Sequence, residues 1–194
     1  MRGLCVRVSR VTLRVILVML GPFSVMLTTG CSRDAHTLPL SAPYNDDTVG
    51  VLSATWTNSG EERAFSGGAR LKEPEVRFRY RLDARNDGKD KLYLRLSDVT
   101  FADSDGLALG SDPARIACTL NAGQTDGILA GDIWVPKAAA EKVHGVRVSR
   151  VAVPLGTAEV TRYRAWLLQG RPNETAQVDA EIAALAAAPT CGAR

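Results

Sequence analysis

Catalysis and metal binding need particular side chains at particular spacings, and this 194-residue chain holds few of them. His36 and His144 are its two histidines. Nucleophilic catalysis would need one of them beside a Ser or Cys, and there is no Gly-x-Ser-x-Gly turn to present a nucleophile. Neither histidine has a partner at metal-ligand spacing. Asp103-Ser104-Asp105-Gly106, followed by Asp112, keeps the spacing of the later positions of a calcium-binding loop. Phe101 stands where the first oxygen ligand belongs, so the stretch reads as a plain turn. Carboxylates are scattered as on any solvated surface, without specific support for a glycosidase pair. No catalytic residue, metal site or cofactor is expected, and His144 is expected in a partly exposed loop.

Binding chemistry is better represented. Arg77, Arg79 and Arg81 alternate with Val76, Phe78, Tyr80 and Leu82, which predicts a strand with one apolar and one charged face. With Arg95 on the next strand they would form a basic stripe for an acidic partner, lipid headgroups or an anionic glycan. The bland alternative is a solvated face that blocks edge pairing. Trp56, Trp134 and Trp166 read as core or sandwich-edge packing. An exposed Trp beside that stripe would favour binding, because Trp and Arg dominate interface hot spots.

The elements that must position these residues read mostly as β. Asn86-Asp87-Gly88-Lys89 supplies turn chemistry between the Val76–Asp83 strand and a second one carrying Leu92, Leu94 and Leu96, which predicts a hairpin. Further strands are expected over 116–120 through Cys118, over 127–135 up to Pro136, and over 145–155. In the last of these Val146 and Val148 are out of phase with Val151 and Val153, which suggests a bulge near Ser149-Arg150. "GVLSATWTN" and "VTRYRAWLL" are expected as edge strands. About seven short strands at turn-marked intervals argue for an antiparallel sandwich. Residues 174–188 alone read as helix, with Val178, Ile182 and Leu185 on one face and Pro189 as the stop.

The amino terminus has the order of a secretory signal. Arg2, Arg7, Arg10 and Arg14 precede an apolar run over 15–27 that is short of the roughly 20 residues a bilayer span needs. Without residues 1–30 the chain carries twenty basic and twenty-one acidic residues, because that segment holds four arginines and no acid. The overall charge of +3 therefore belongs to the signal, and a phosphate-binding nucleic-acid face is not expected. Residues 32–48 mix Pro, Ser, Asp and Asn without periodicity and read as a flexible tether, in which His36 would have no role.

Leu27-Thr28-Thr29-Gly30-Cys31 resembles the lipobox of bacterial lipoproteins, with Thr28 where that family usually has Leu. The resemblance implies that Cys31 is lipidated and becomes the new amino terminus. Ser32 after it implies sorting to the outer membrane, facing the periplasm. The alternative is ordinary cleavage that leaves Cys31 a free or disulfide-bonded thiol. If Cys31 is acylated, Cys118 and Cys191 form the one remaining intramolecular pair, and an exported chain permits a disulfide between them; the alternative is that both are reduced, Cys118 in a buried strand and Cys191 in a loose tail.

The order of turns and strands also resembles a known fold. Asn-Asp-Gly, Asp-Val-Thr-Phe, Asp-Ser-Asp-Gly, "CTLNAGQ" and "GDIWVPK" follow one another as in the immunoglobulin-like sandwich of small secreted mycobacterial immunoprotective antigens and related lipoprotein domains. The resemblance covers residues 49–155 and implies a fold, with binding or assembly roles rather than an activity.

The expected organisation is a signal peptide (1–30), a lipid-anchored tether (31–48), an immunoglobulin-like β-sandwich (49–170) and a helical tail (171–194). The expected function is a non-enzymatic binding or assembly module, held to the envelope membrane by its lipid and engaging an envelope protein or glycan. The alternative is an envelope inhibitor or immunity protein against a hydrolase. A hydrolase would need a concave pocket gathering His144 with two acids.

Overall fold

A computed structural model describes residues 36–192. Period-two patterning produces seven strands: β1 (His36–Ser41), β2 (Thr48–Ser66), β3 (Ala69–Asn86), β4 (Leu92–Ala102), β5 (Ala108–Leu120), β6 (Thr125–Pro136) and β7 (Gly145–Pro154). A short 3₁₀ helix (Lys137–Lys142) joins β6 to β7, and α1 (Thr157–Gly170) and α2 (Thr175–Ala187) end the chain. One antiparallel sheet has the order β1-β2-β3-β6 and the other β5-β4-β7. Facing each other, they form an antiparallel, immunoglobulin-like sandwich of four and three strands.

The inward residues of both sheets make the core. Trp56 of β2 and Phe78 and Tyr80 of β3 surround Phe101 of β4, with ring centroids 5.9, 5.5 and 6.4 Å from it. Leu52, Leu82, Leu94, Leu96 and Ile133 fill the space around them, none more than 1 % exposed. A buried Leu or Phe of this kind stabilises the fold by about 2 kcal/mol relative to exposure.

The expected hairpin across Asn86-Asp87-Gly88-Lys89 is not one. β3 pairs with β2 and β6, and the turn carries the chain over to the opposite sheet, where β4 pairs with β5 and β7. Asn86 makes this crossing. Its buried amide nitrogen donates to the carbonyls of Asp90 (2.9 Å), Asn121 (3.1 Å) and Leu120 (3.2 Å), and its Oδ1 accepts from the Gly88 N–H (2.9 Å). One side chain thereby satisfies backbone groups of two loops that would otherwise be buried without partners.

Three further expectations are corrected. The bulge lies in β4, at Asp98 with φ 54°, where the inward series Leu92, Leu94, Leu96 changes phase to Val99 and Phe101. The phase change in β7 has another cause: Val146 and Val148 face the sandwich core, whereas Val151 and Val153 face outward beneath the helices. "VTRYRAWLL" lies in α1, not in an edge strand, because Tyr163 and Leu167, four apart, seat on Tyr93 and Val153. Val178 and Leu185 of α2 complete that second cluster, so one end of the molecule has three layers.

From His36 onward, the segment expected as a tether is folded. Residues 36–41 pair with β2 in a register from His36↔Ala54 to Ser41↔Thr48, which places β2 inside its sheet rather than at an edge. Leu40 is fully buried, and Arg150 of β7 holds the Pro39 carbonyl at 2.9 Å. His36 accordingly has a role: its Nδ1 accepts the Val146 N–H at 3.2 Å and its ring meets Trp56 edge-on. The mixed composition of 32–48 concealed a strand because the Leu38, Leu40, Ala42 alternation is short and interrupted by Pro39.

Candidate binding surfaces

Cys31, the expected lipidation site, lies outside the described residues. Among the described residues no helix is long and apolar enough to cross a membrane. Cys118 and Cys191 are joined in a disulfide that closes a 73-residue separation. Backbone pairing prepares it: Thr119 N–H donates to the Pro189 carbonyl at 2.8 Å and Cys191 N–H to the Thr119 carbonyl at 2.9 Å. The tail after α2 is thus stitched to β5 covalently and through hydrogen bonds.

The arginine row does run along the outer face of β3, but acids neutralise most of it. Arg77 Nη1 meets Glu61 at 2.7 Å and Nη2 meets Asp132 at 2.5 Å, while its buried Nε has no hydrogen-bond partner among the described residues. Those hydrogen bonds raise the Arg77 guanidinium above its ordinary range, and the one from Arg77 lowers Asp132. Arg81 meets Asp83 at 2.8 Å and Arg85 meets Asp87 at 2.6 Å. Arg79 stands opposite Asp132 in the register. Arg95 does not belong to the row: β4 lies in the other sheet, so Arg95 projects from the far side of the sandwich.

A Trp does lie beside the row. Trp134 pairs with Arg77 across β6 and β3, and the Arg63 guanidinium covers its ring at 4.2 Å from the centroid while bonded to Glu75 at 2.7 Å. Such a capped ring contributes to a rigid face, and cation–π contact there is worth about 1 kcal/mol.

The feature that sequence reasoning missed is the arm formed by the far halves of β2 and β3. Beyond the Arg63↔Glu75 pair these strands leave the sheet as a two-stranded ribbon that closes at Ser66↔Ala69. Gly67 and Gly68 both have positive φ (57° and 82°), the requirement of a tight two-residue hairpin turn. At 3.4 Å per residue the three β2 residues from Arg63 to Ser66 carry the ribbon roughly 10 Å past that pair, before the turn. Its base is braced by the 3₁₀ helix, through Lys137 to Glu62 at 2.7 Å and the Ala138 N–H to Glu73 at 3.0 Å. Phe65 near the tip is 62 % exposed. The visible signal was Gly67-Gly68 between two β-compatible runs.

The Asp103 and Asp112 carboxylates bond to groups of the fold itself. Asp103 Oδ1 accepts the N–H groups of Asp105 and Leu107, and Asp112 accepts the Tyr80 hydroxyl at 2.7 Å and the Ala114 N–H. Burial first, then the bond to Asp112, raises the Tyr80 hydroxyl above its ordinary range. Among the described residues no group of three or more His, Cys, Asp and Glu side chains is placed to hold a metal ion. His144 is exposed on the turn before β7, where its backbone N–H donates to the Ala102 carbonyl.

Comparison with known proteins assigns no family: the chain matches no protein-family profile. It is 34 % identical over 94 residues to a gamma-glutamyl phosphate reductase of Methylobacterium radiotolerans, a stretch that covers 48 % of this chain and 20 % of that enzyme. The chain therefore spans about a fifth of that relative's length. Among solved structures it aligns with the variable domain of the Streptococcus agalactiae AgI/II polypeptide BspA, over 75 % of this chain and 91 % of that one, at 16 % identity and a TM-score of 0.17.

Proposed function

We propose that the protein is a lipid-anchored, non-enzymatic binding module of the bacterial cell envelope, held through Cys31 to the periplasmic face of the outer membrane, and that the β2–β3 arm is presented to its partner. The observation that carries this reading is the arm itself: a braced ribbon ending in an exposed Phe65, which adds nothing to the core. Bracing lowers the ordering cost of association, since the contact surface is already shaped. The lipobox-like "LTTGC" supports the anchor, and the balanced charge without residues 1–30 supports a partner other than nucleic acid.

The same observation favours a second reading, an envelope inhibitor or immunity protein against a hydrolase, because a narrow ribbon with an apolar tip suits a catalytic cleft. One experiment addresses both. A photo-crosslinking residue is placed at position 65 and, as control, at exposed Ala184 on α2, and the chain is expressed in envelope-bearing cells. A single protein crosslinked from position 65 only, displaced by an excess of the unlabelled wild-type chain but not by the Phe65→Ser chain, supports the module. Inhibition of that protein's hydrolytic activity by the purified chain supports the inhibitor. Equal crosslinking from both positions would overturn the arm as the binding element.

A further inference from the structure

Two guanidinium groups on the other sheet are not neutralised. Arg95 of β4 and Arg115 of β5 both project from the outer face of the β5-β4-β7 sheet, exposed, and neither is bonded to an acid among the described residues. The register sets Arg95 opposite Ala117 and Arg115 opposite Ser97, so the two are diagonal neighbours on adjacent strands. Diagonal Cβ atoms lie about 7 Å apart, within which two arginine heads can converge on one anion. They share an open depression of about 360 Å³ with Ser97.

Arg95 also lines a second depression, of about 410 Å³, together with Trp166 of α1. Trp166 is 41 % exposed, one of three large apolar side chains left so among the described residues. Its indole stacks on Tyr163 at 5.8 Å and 16°, and Tyr163 is buried, with its hydroxyl donating to Glu181 at 3.3 Å. The platform is therefore held in place from behind. Arg171 and Glu181 line the same depression and are paired with each other at 2.8 Å, Arg171 also meeting Glu174.

The geometry points to a binding site for an acidic saccharide, in which a pyranose ring lies on Trp166 and its carboxylate, or that of the adjoining ring, is held between Arg95 and Arg115. The C–H face of a sugar matches an indole, and a carboxylate matches the planar fork of arginine. Neither group alone specifies the ligand: a phosphate would use the arginines without the ring, and a neutral sugar the ring without the arginines. The site lies on the folded domain and depends neither on the anchor nor on the arm.

The test is calorimetric titration of the purified full chain with tetrasaccharides containing glucuronate or N-acetylmuramate, a neutral N-acetylglucosamine tetramer, inorganic phosphate, and phosphatidylglycerol vesicles. Expected is binding of an acidic tetrasaccharide that weakens with salt and moves the Trp166 indole resonance. Arg95→Gln, Arg115→Gln and Trp166→Ala are each expected to weaken it at least tenfold, with melting temperatures unchanged. Trp166→Phe retains most of the affinity, and Arg81→Gln on the opposite sheet leaves it unaltered. Equal affinity for the neutral tetramer, binding of phosphate or vesicles without the saccharides, no binding of either acidic tetrasaccharide, or indifference to Arg115→Gln would each overturn the proposal.

Discussion

At the scale of single residues, the buried polar groups are the most consequential. Asn86→Ala removes four hydrogen bonds and leaves carbonyls of two loops without a donor, so it is expected to destabilise the fold by about 2 kcal/mol, read from the urea midpoint at constant slope. Tyr163 sets an alkaline limit. Burial first, then the Glu181 carboxylate, pushes its hydroxyl up to about 12, against an ordinary 10 when unfolded. The folded state holds the proton more tightly, so its contribution is fully present below pH 10 and is lost as pH rises towards 12. Tyr44 is raised in the same direction, by burial and by its bond to Glu159 at 2.8 Å. Stability measured by denaturant should therefore fall between pH 10 and 12, and Tyr163→Phe should flatten that fall. An unchanged slope in Tyr163→Phe would assign the alkaline loss to other groups.

At the scale of elements, the arm and the first strand behave oppositely. Phe65→Ser is expected to change stability by less than about 0.5 kcal/mol, since the side chain is already in water, while removing partner binding. Gly67→Ala and Gly68→Ala place a side chain at positive φ and should each cost about 1 kcal/mol, visible as loosened tip amides in hydrogen exchange. β1 is part of the body. Leu40→Ala should cost about 3 kcal/mol and release β1 from β2, which a freely moving tether would not do. The β1 result bears on the anchor too. Four residues separate Cys31 from β1, so a lipid there would hold the sandwich within about 18 Å of the membrane surface.

At the scale of the whole molecule, the disulfide and the helical layer act together. The loop closed by the Cys118–Cys191 crosslink contains β6, β7 and both helices, and its loss is expected to cost about 4 kcal/mol by loop entropy. Reduction should lower the thermal midpoint and first expose Tyr93 and Val153, which the helices cover. The intact mass of membrane-extracted protein reports the anchor independently. A chain beginning at Cys31 with added acyl groups is expected, gaining two hydrogens on reduction. An unmodified soluble chain would remove the membrane from the proposal and leave the sandwich as described.

The sequence by itself determined what is local. Alternation in "EVRFRYRLD" set a half-buried strand, Val178 and Leu185 set α2, and the turn residues at 86–89 and 103–106 set where strands end. These follow from side-chain period and backbone preference within a few residues. Tertiary structure decided the rest. An Asn-Asp-Gly turn is equally compatible with a hairpin and with a crossing between sheets, and the choice at Asn86 came from carbonyls at Leu120 and Asn121, more than thirty residues away. Arg77 and Arg95 look alike in sequence. Only the pairing of β3 with β6 brings Asp132 to Arg77, and only the pairing of β4 with β5 brings Arg115 towards Arg95. Charge neutralisation across strands is a property of register, and register is fixed by burial summed over both sheets rather than by any one segment.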